Sequence, residues 1–270
     1  MILTYGENSV EILEKGAYVK SLHMEGQDIL RPSPDGEQTH GGMALLLPYA
    51  NRVRHARYAW EGKEYSLPRN NGEHSIHGLT RDLQWNLEII RENIGKCSTK
   101  LSTPGYPVEL HIAVTFELGK DTFTTSIEAE NRGKKAAPFM AGMHPYFRFE
   151  ECWSIESMQN LLRLNYESEY FPDGSMTPVK PSSLNSKCGI AFDNTYLTNS
   201  MPILNTGNRR ILFETANMPY LVLYNGKYSG GESVAAEPMS AAPDAFNNGI
   251  GLVSIPSGSN FNCYARFRLV

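Results

Sequence analysis

His144 sits in the stretch AGMHPYFRF, between an apolar run and an aromatic pair. It precedes a proline, which pushes its backbone toward extended conformations and away from helix. Pro145 has no N–H to donate and suits a strand end or edge. A strand that delivers an imidazole beside Tyr146 and Phe147 places a titratable group in a partly apolar cleft. A hydrogen-bonded histidine at a strand end fits the same residues. Glu237 follows Val234, Ala235 and Ala236 in the stretch AAEPM. Partial burial there keeps a carboxylate basic enough to move protons near neutrality. An imidazole and such a carboxylate are equipment for general acid–base chemistry.

Other polar residues admit two readings each. Arg52, in PYANRVRH, follows the apolar run from Met43 to Leu47. Its guanidinium could emerge at a strand end as a fixed fork of donors, although taken singly it is better read as a surface arginine. His74 and His77 stand three apart in EHSIHG. With Glu237 they offer a mixed nitrogen and oxygen shell. The spacing is not that of a helical HExxH, however, and no second close pair of ligands accompanies it, so no metal is expected. His77 precedes Gly78, where backbone can approach a ligand closely, and reads as a hydrogen-bonding loop residue. Asp193, in FDNTY, has the setting of an Asx turn.

The elements that must hold these residues repeat with period two. From Val108 to Glu117, the residues Val108, Leu110, Ile112, Val114 and Phe116 alternate with polar ones, only Ala113 blurring the pattern. That is a strand with one buried face. A turn at Leu118-Gly119-Lys120 leads into a second strand from Asp121 to Asn131, completing a long antiparallel hairpin. Tyr58 and Trp60 lead across Glu61-Gly62 to Tyr65 and Leu67, a second hairpin. Cys263, Ala265, Phe267 and Leu269 alternate at the end of the chain, and Trp85, Leu87 and Ile89 do so earlier. Tyr220 to Tyr224 is continuously apolar, as in a strand covered on both faces, and Ile211-Leu212-Phe213 reads the same way. No convincing helix, linker or fixed-period repeat is present. The fold class expected is all-β: one domain, residues 1–270, forming a large antiparallel sandwich. Long loops at Arg69 to Trp85 and Ser168 to Leu197 exceed what connection requires and suit a binding site.

Composition narrows the function classes. A length of 270 residues is within the reach of a single β-sandwich, and 23 Gly with 16 Pro suit a turn-rich fold. The formal charge of −4 gives no reason to expect nucleic acid or a membrane surface as partner. Cys97, Cys152, Cys188 and Cys263 are widely spaced, which suggests reduced thiols in a cytoplasmic protein. The N-terminal residues show no signal-peptide pattern, and no apolar run reaches the length of a membrane span.

Taken in order, the stretches PYANRVRHARYAWEGKEYSL, HSIHGLTRDLQW, GMHPYF, FDNTY and AAEPMSAAPDAFN resemble the aldose 1-epimerase (galactose mutarotase) family. The resemblance runs from about residue 40 almost to the end. It implies a galactose mutarotase-like supersandwich that interconverts the α and β anomers of a free aldohexose without a cofactor. Glu237 matches the family's general base and His144 its general acid. His77 and Arg52, the latter in NRV with Asn51, match the residues that orient the sugar's oxygens. Asp193 matches the carboxylate that binds a ring hydroxyl. Tyr146, Phe147, Trp85 and Phe246 are candidates to stack on the sugar, although most of them suit a core equally well. The longer galactose-specific members carry an asparagine where Met143 stands, have a longer connection after HG and differ beyond the base. This chain is closer to the shorter, aldose 1-epimerase-like branch, and the identity of the sugar stays open.

In the implied mechanism, ionised Glu237 and protonated His144 act on opposite sides of one pyranose, each favoured by the other's charge. Three rivals remain at this point. One is a sugar-phosphate mutarotase using Arg52, Arg54 or Arg57. Another is a non-catalytic sugar-binding protein, and the third is a metal-dependent isomerase using His74, His77 and Glu237. Either a monomer or a homodimer fits.

Overall fold

The fold is that of a computed structural model. It describes residues 1–168, 170–188, 190–198 and 200–270, and of Cys188 the backbone alone. Two large antiparallel sheets dominate, one of eleven strands and one of eight. The centre of the larger sheet runs in the order Met43–Leu46, Gly142–Arg148, Ser233–Met239, Tyr220–Tyr224 and Asp193–Leu197. The smaller is built around the hairpin Leu110–Leu118 and Thr122–Asn131, flanked by Asn260–Leu269. This is the expected all-β sandwich. Among the described residues the one α-helix is the four-residue Ala245–Asn248, and no helix is long and apolar enough to cross a membrane.

The hairpin keeps the register that alternation implies, with Ile112 opposite Ala129 and Val114 opposite Ile127, all buried. The two sheets meet through aromatic rings. Phe147 of the larger sheet lies 5.4 Å from Phe213 and 5.0 Å from Phe267 of the smaller, edge to face. Strand Gly142–Arg148 thus turns Phe147 into the intersheet core, while His144 and Tyr146, on the opposite parity, face outward. This explains why the strand carries apolar residues on both faces. The same holds for Tyr220–Tyr224.

Several local expectations change. Ile211 and Phe213 are buried but Leu212 is only half-buried, so that strand alternates and belongs to the smaller sheet. The segment Ser168 to Leu197 is not a long loop. It contains strand Phe171–Val179, which pairs with Leu161–Ser168, and ends in strand Asp193–Leu197. Its prolines and glycine hide the periodicity, and at a sheet edge they are tolerated. Asp193 accordingly opens a strand instead of making a turn, paired with Tyr224. The segment Arg69 to Trp85 does stay irregular, apart from the two-residue strand Ser75–Ile76. Cys97, Cys152 and Cys263 are free thiols. The corresponding expectation for Cys188 lies outside the described residues.

Candidate active site

Strand register places the two proton-transfer candidates side by side. Gly142 pairs with Met239 and Tyr146 with Ala235, so His144 falls opposite Glu237 on the neighbouring strand. Facing residues of an antiparallel pair project from the same side of the sheet. His144 Nε2 and Glu237 Oε1 are 3.3 Å apart. One row further along, Tyr146, Tyr224 and Asp193 share that face, because Ala235 pairs with Tyr224 and Tyr224 with Asp193. The alanine between the tyrosines leaves open space above the sheet.

The other wall comes from two strained loops tied together. Asn51 and His77 both have positive φ, 53° and 62°, and are joined by a bond from His77 N–H to Asn51 O. Positive φ at such residues costs energy and persists where the surroundings impose it. Gly78 follows at φ +79°, and a Cβ there would lie 2.3 Å from Leu47 O. Only glycine allows that approach. Arg52 stands on its own two-residue strand, Arg52–Val53, paired with Ser75–Ile76, and not at the end of Met43–Leu46. Its Nε donates to Asn71 Oδ1 at 3.1 Å, its backbone N–H donates to Asn51 Oδ1 at 2.8 Å, and its guanidinium lies 3.6 Å from the Tyr170 ring centre. The guanidinium is therefore held rigidly.

Together these elements enclose a cavity of about 310 Å3, at the lower end of the range for small-molecule sites. Asn51, Arg52, His77, His144, Tyr146, Asp193 and Glu237, all singled out in the sequence, line it. The His77 ring meets His144 edge to face, with centres 5.2 Å apart, and Tyr146 stacks on His144 at 4.8 Å. Tyr146 also donates its hydroxyl to Thr39 O at 2.8 Å. Of the four candidate stacking rings, Tyr146 alone borders the cavity. Phe147, Trp85 and Phe246 are core residues, with Trp85 Nε1 directed at Thr80 O and Phe246 packed on Tyr49 and Tyr58.

Burial sets the charges here. Glu237 is 2% exposed and its carboxyl is pushed well above the ordinary range by desolvation, reinforced by the negative charge of Asp193 and partly offset by Arg52. His144 is 5% exposed and burial lowers it to about 3. His77 is likewise driven well below its usual value, first by burial and then by the charges around it. Both shifts run against the expected carboxylate–imidazolium pair, because burial disfavours the charged form of each group. Nor do the two stand on opposite sides of a ring-sized space; they adjoin each other on its floor. Buried atoms without partners mark the same place: His77 Nδ1, His144 Nδ1, Glu237 Oε2 and Arg81 Nε. Polar atoms buried without partners are costly, and these four belong to residues lining one cavity.

The residues offered for the rival chemistries do not converge. His74 does not line the cavity; it contacts His55, Glu73 and Phe171 at the rim. His55, Glu73 and His74 bring their ligand atoms within 4.8 Å of one another. Yet His74 Nδ1 accepts from the His55 backbone N–H at 3.0 Å. The neutral ring therefore carries its proton on Nε2, the nitrogen facing Glu73, whereas a metal-bound histidine keeps its proton on the outer nitrogen. The cluster is a hydrogen-bonded rim contact. Arg54 pairs with Glu167 and lies 3.8 Å from Asp244, and with Arg57 it borders a separate surface pocket. Of the three arginines suggested for a phosphate, Arg52 alone reaches the cavity. Conversely, Arg81, Asn70, Asn71, Tyr224, Tyr228 and His40 line the cavity and were not singled out. Arg81 lies within the quoted stretch HSIHGLTRDLQW, and Tyr224 ends an apolar run that hides its polar tip.

Comparison with known proteins points to one family. The family model described as aldose 1-epimerase matches residues 2–268. An uncharacterised Escherichia coli K12 protein, YihR, is 28% identical, the match covering 98% of this chain and 92% of that one. The aldose 1-epimerase of Haemophilus influenzae is 26% identical over 67% of this chain and 57% of its own. Among solved structures, a galactose mutarotase-like protein from Clostridium acetobutylicum superposes with a TM-score of 0.86 at 15% identity, covering 100% of this chain and 94% of its own. A likeness at that identity speaks for the fold. With the match running over nearly the whole sequence, the chain belongs to the aldose 1-epimerase family.

Proposed function

We propose that the protein is an aldose 1-epimerase that interconverts the α and β anomers of a free aldohexose, with Glu237 as base and His144 as acid. The observation that carries this reading is the contact between His144 and Glu237 on the floor of a polar cavity. Family membership supports it, as do the names of relatives such as the galactose mutarotase of Sus scrofa.

Ring opening removes the proton of the C1 hydroxyl, breaks the bond from C1 to the ring oxygen and delivers a proton to that oxygen. Rotation about C1–C2 in the open aldehyde and closure with the roles exchanged then give the other anomer. No net proton is taken up or released, so the pair must carry one proton throughout. Burial favours that count, since the doubly protonated and the fully deprotonated arrangements each leave one uncompensated charge out of water. A sugar inserted at the pair accepts a proton from one partner and yields one to the other. Glu237 becomes the base whenever the shared proton resides on His144. Arg52 and His77 donate to oxygens on which charge develops, and Asp193 accepts from a ring hydroxyl. Asn51 fixes Arg52, and Tyr146 backs the imidazole.

An anomerisation screen across common aldoses by NMR, with Glu237→Gln as control, tests this. Faster equilibration than buffer alone, lost in the variant, supports it. Rates equal to buffer for every sugar would return the protein to the sugar-binding reading.

A further inference from the structure

Arg52 is clamped by Asn71, Asn51 and Tyr170; Arg81, on the same cavity, has no such clamp. Its Nε is buried and meets no acceptor, and among the described residues no carboxylate comes within ion-pair distance of its guanidinium. The acids nearest in sequence or space are spoken for or lie outside. Asp82 pairs with Lys15 at 2.7 Å, and Asp35 pairs with His40 at 2.7 Å. Glu37 borders the cavity but is exposed. A half-buried guanidinium with an unused donor is costly to maintain for packing alone. What the cavity lacks, and a sugar supplies, is a set of acceptor oxygens.

We propose that Arg81 is a further substrate-binding residue, whose guanidinium donates to a hydroxyl oxygen of the bound aldose and so orients the ring against His77 and His144. The inference rests on the mutarotase reading and adds a contact to it. The loop holds Arg81 in place without help from its side chain. Its carbonyl accepts from Gln38 Nε2 at 3.0 Å, and the turn is closed by Leu83 N–H to Thr80 O at 3.2 Å. The side chain is thus left for the ligand. Its charge has a second effect, disfavouring protonation of both His77 and His144. Five donors in a planar fork suit two neighbouring hydroxyls, which an ammonium group would hold less well.

Steady-state anomerisation of the best aldose by Arg81→Met and Arg81→Lys is the test, run beside a set of monodeoxy analogues of that aldose. Arg81→Met should raise KM at least about tenfold and lower kcat by less, as expected for a contact made in ground and transition states alike. Arg81→Lys should fall between. One monodeoxy analogue, poorer than the parent for the unaltered protein, should lose its disadvantage in Arg81→Met, because the hydroxyl and the guanidinium are partners. A merely structural arginine leaves every deoxy penalty in place, and that result, or an unchanged KM, overturns the inference. Should Arg81→Met not fold, Arg81→Lys with the same analogues decides. If the unaltered protein binds aldoses without anomerising them, the mutarotase reading has failed and the same comparison of dissociation constants judges Arg81. If it binds none, both fall.

Discussion

His74 and His77 stand three residues apart on one loop, and the two environments differ in kind. At the rim, His74 accepts from the His55 backbone and faces Glu73, which bonds His55 in turn, among exposed neighbours. In the cavity wall, His77 and His144 each keep a buried Nδ1 without a partner, and Glu237 keeps an oxygen without a donor. Water already satisfies what the rim lacks. The cavity groups have been taken from water and not repaid, which marks a place where a polar ligand completes the structure. Residue type distinguishes nothing here; burial without partners does.

The comparison is broken most directly by exchanging one carboxyl in each place for its amide. Glu237→Gln keeps shape and removes the base, and should lower kcat at least about a hundredfold. Glu73→Gln should leave kcat within about twofold. Equal losses in the two variants would mean that the rim belongs to the reaction and the distinction drawn here is wrong.

A smaller effect is expected from Gly78→Ala. Gly78 sits at φ +79° with Leu47 O in the path of any Cβ, so the HG loop must shift. The change should cost about 2 kcal/mol of stability and move His77, raising KM. Thermal unfolding and kinetics read the two separately. A variant as stable and as active as the parent would show that the loop is not held as tightly as the strain implies.

The pH response sharpens the contrast. The cavity pair works with one proton. On the acid side a second proton reaches His144, whose value burial lowers to about 3, and the base is lost. On the alkaline side Glu237, raised well above the usual range, gives up the shared proton and the acid is lost. A bell-shaped kcat/KM profile follows, with its acid limb below the usual histidine range. An acid limb near pH 6.5 would mean that His144 is solvated.

How much of this was legible beforehand follows from distance along the chain. The hairpins came from local alternation, and the strand Gly142–Arg148 came from a proline and its neighbours. Asp193 was mistaken for a turn residue because FDNTY carries local turn signals, while its pairing with Tyr224 depends on a strand 31 places on. That His144 and Glu237 would adjoin depended on register between strands about ninety residues apart, which no local pattern records. The direction in which burial moves the two groups is hidden for a related reason. Burial of both comes from the loops 51–53 and 76–81 closing over them, and the sequence displays attraction between charges more readily than the removal of water.

The smallest effect is one of stability, and its sign opposes the loss of activity. Glu237 has a folded-state value raised above 4.5, so the stability it contributes is full below pH 4.5 and is lost as pH rises through that raised value. His144, lowered from 6.5 to about 3, gives a slope of opposite sign confined between those values and none above. That slope of His144 is common to parent and variant. Glu237→Gln removes the slope of Glu237, and the variant should unfold at a higher temperature than the parent, by about 1 kcal/mol in stability at pH 7 and by less at pH 5. Glu73→Gln, at the exposed rim, should stay within about 0.5 kcal/mol at both. Thermal melts at the two pH values decide: a gap for Glu237→Gln that narrows as pH rises would place its carboxylate in contact with water and remove the cavity's difference from the rim.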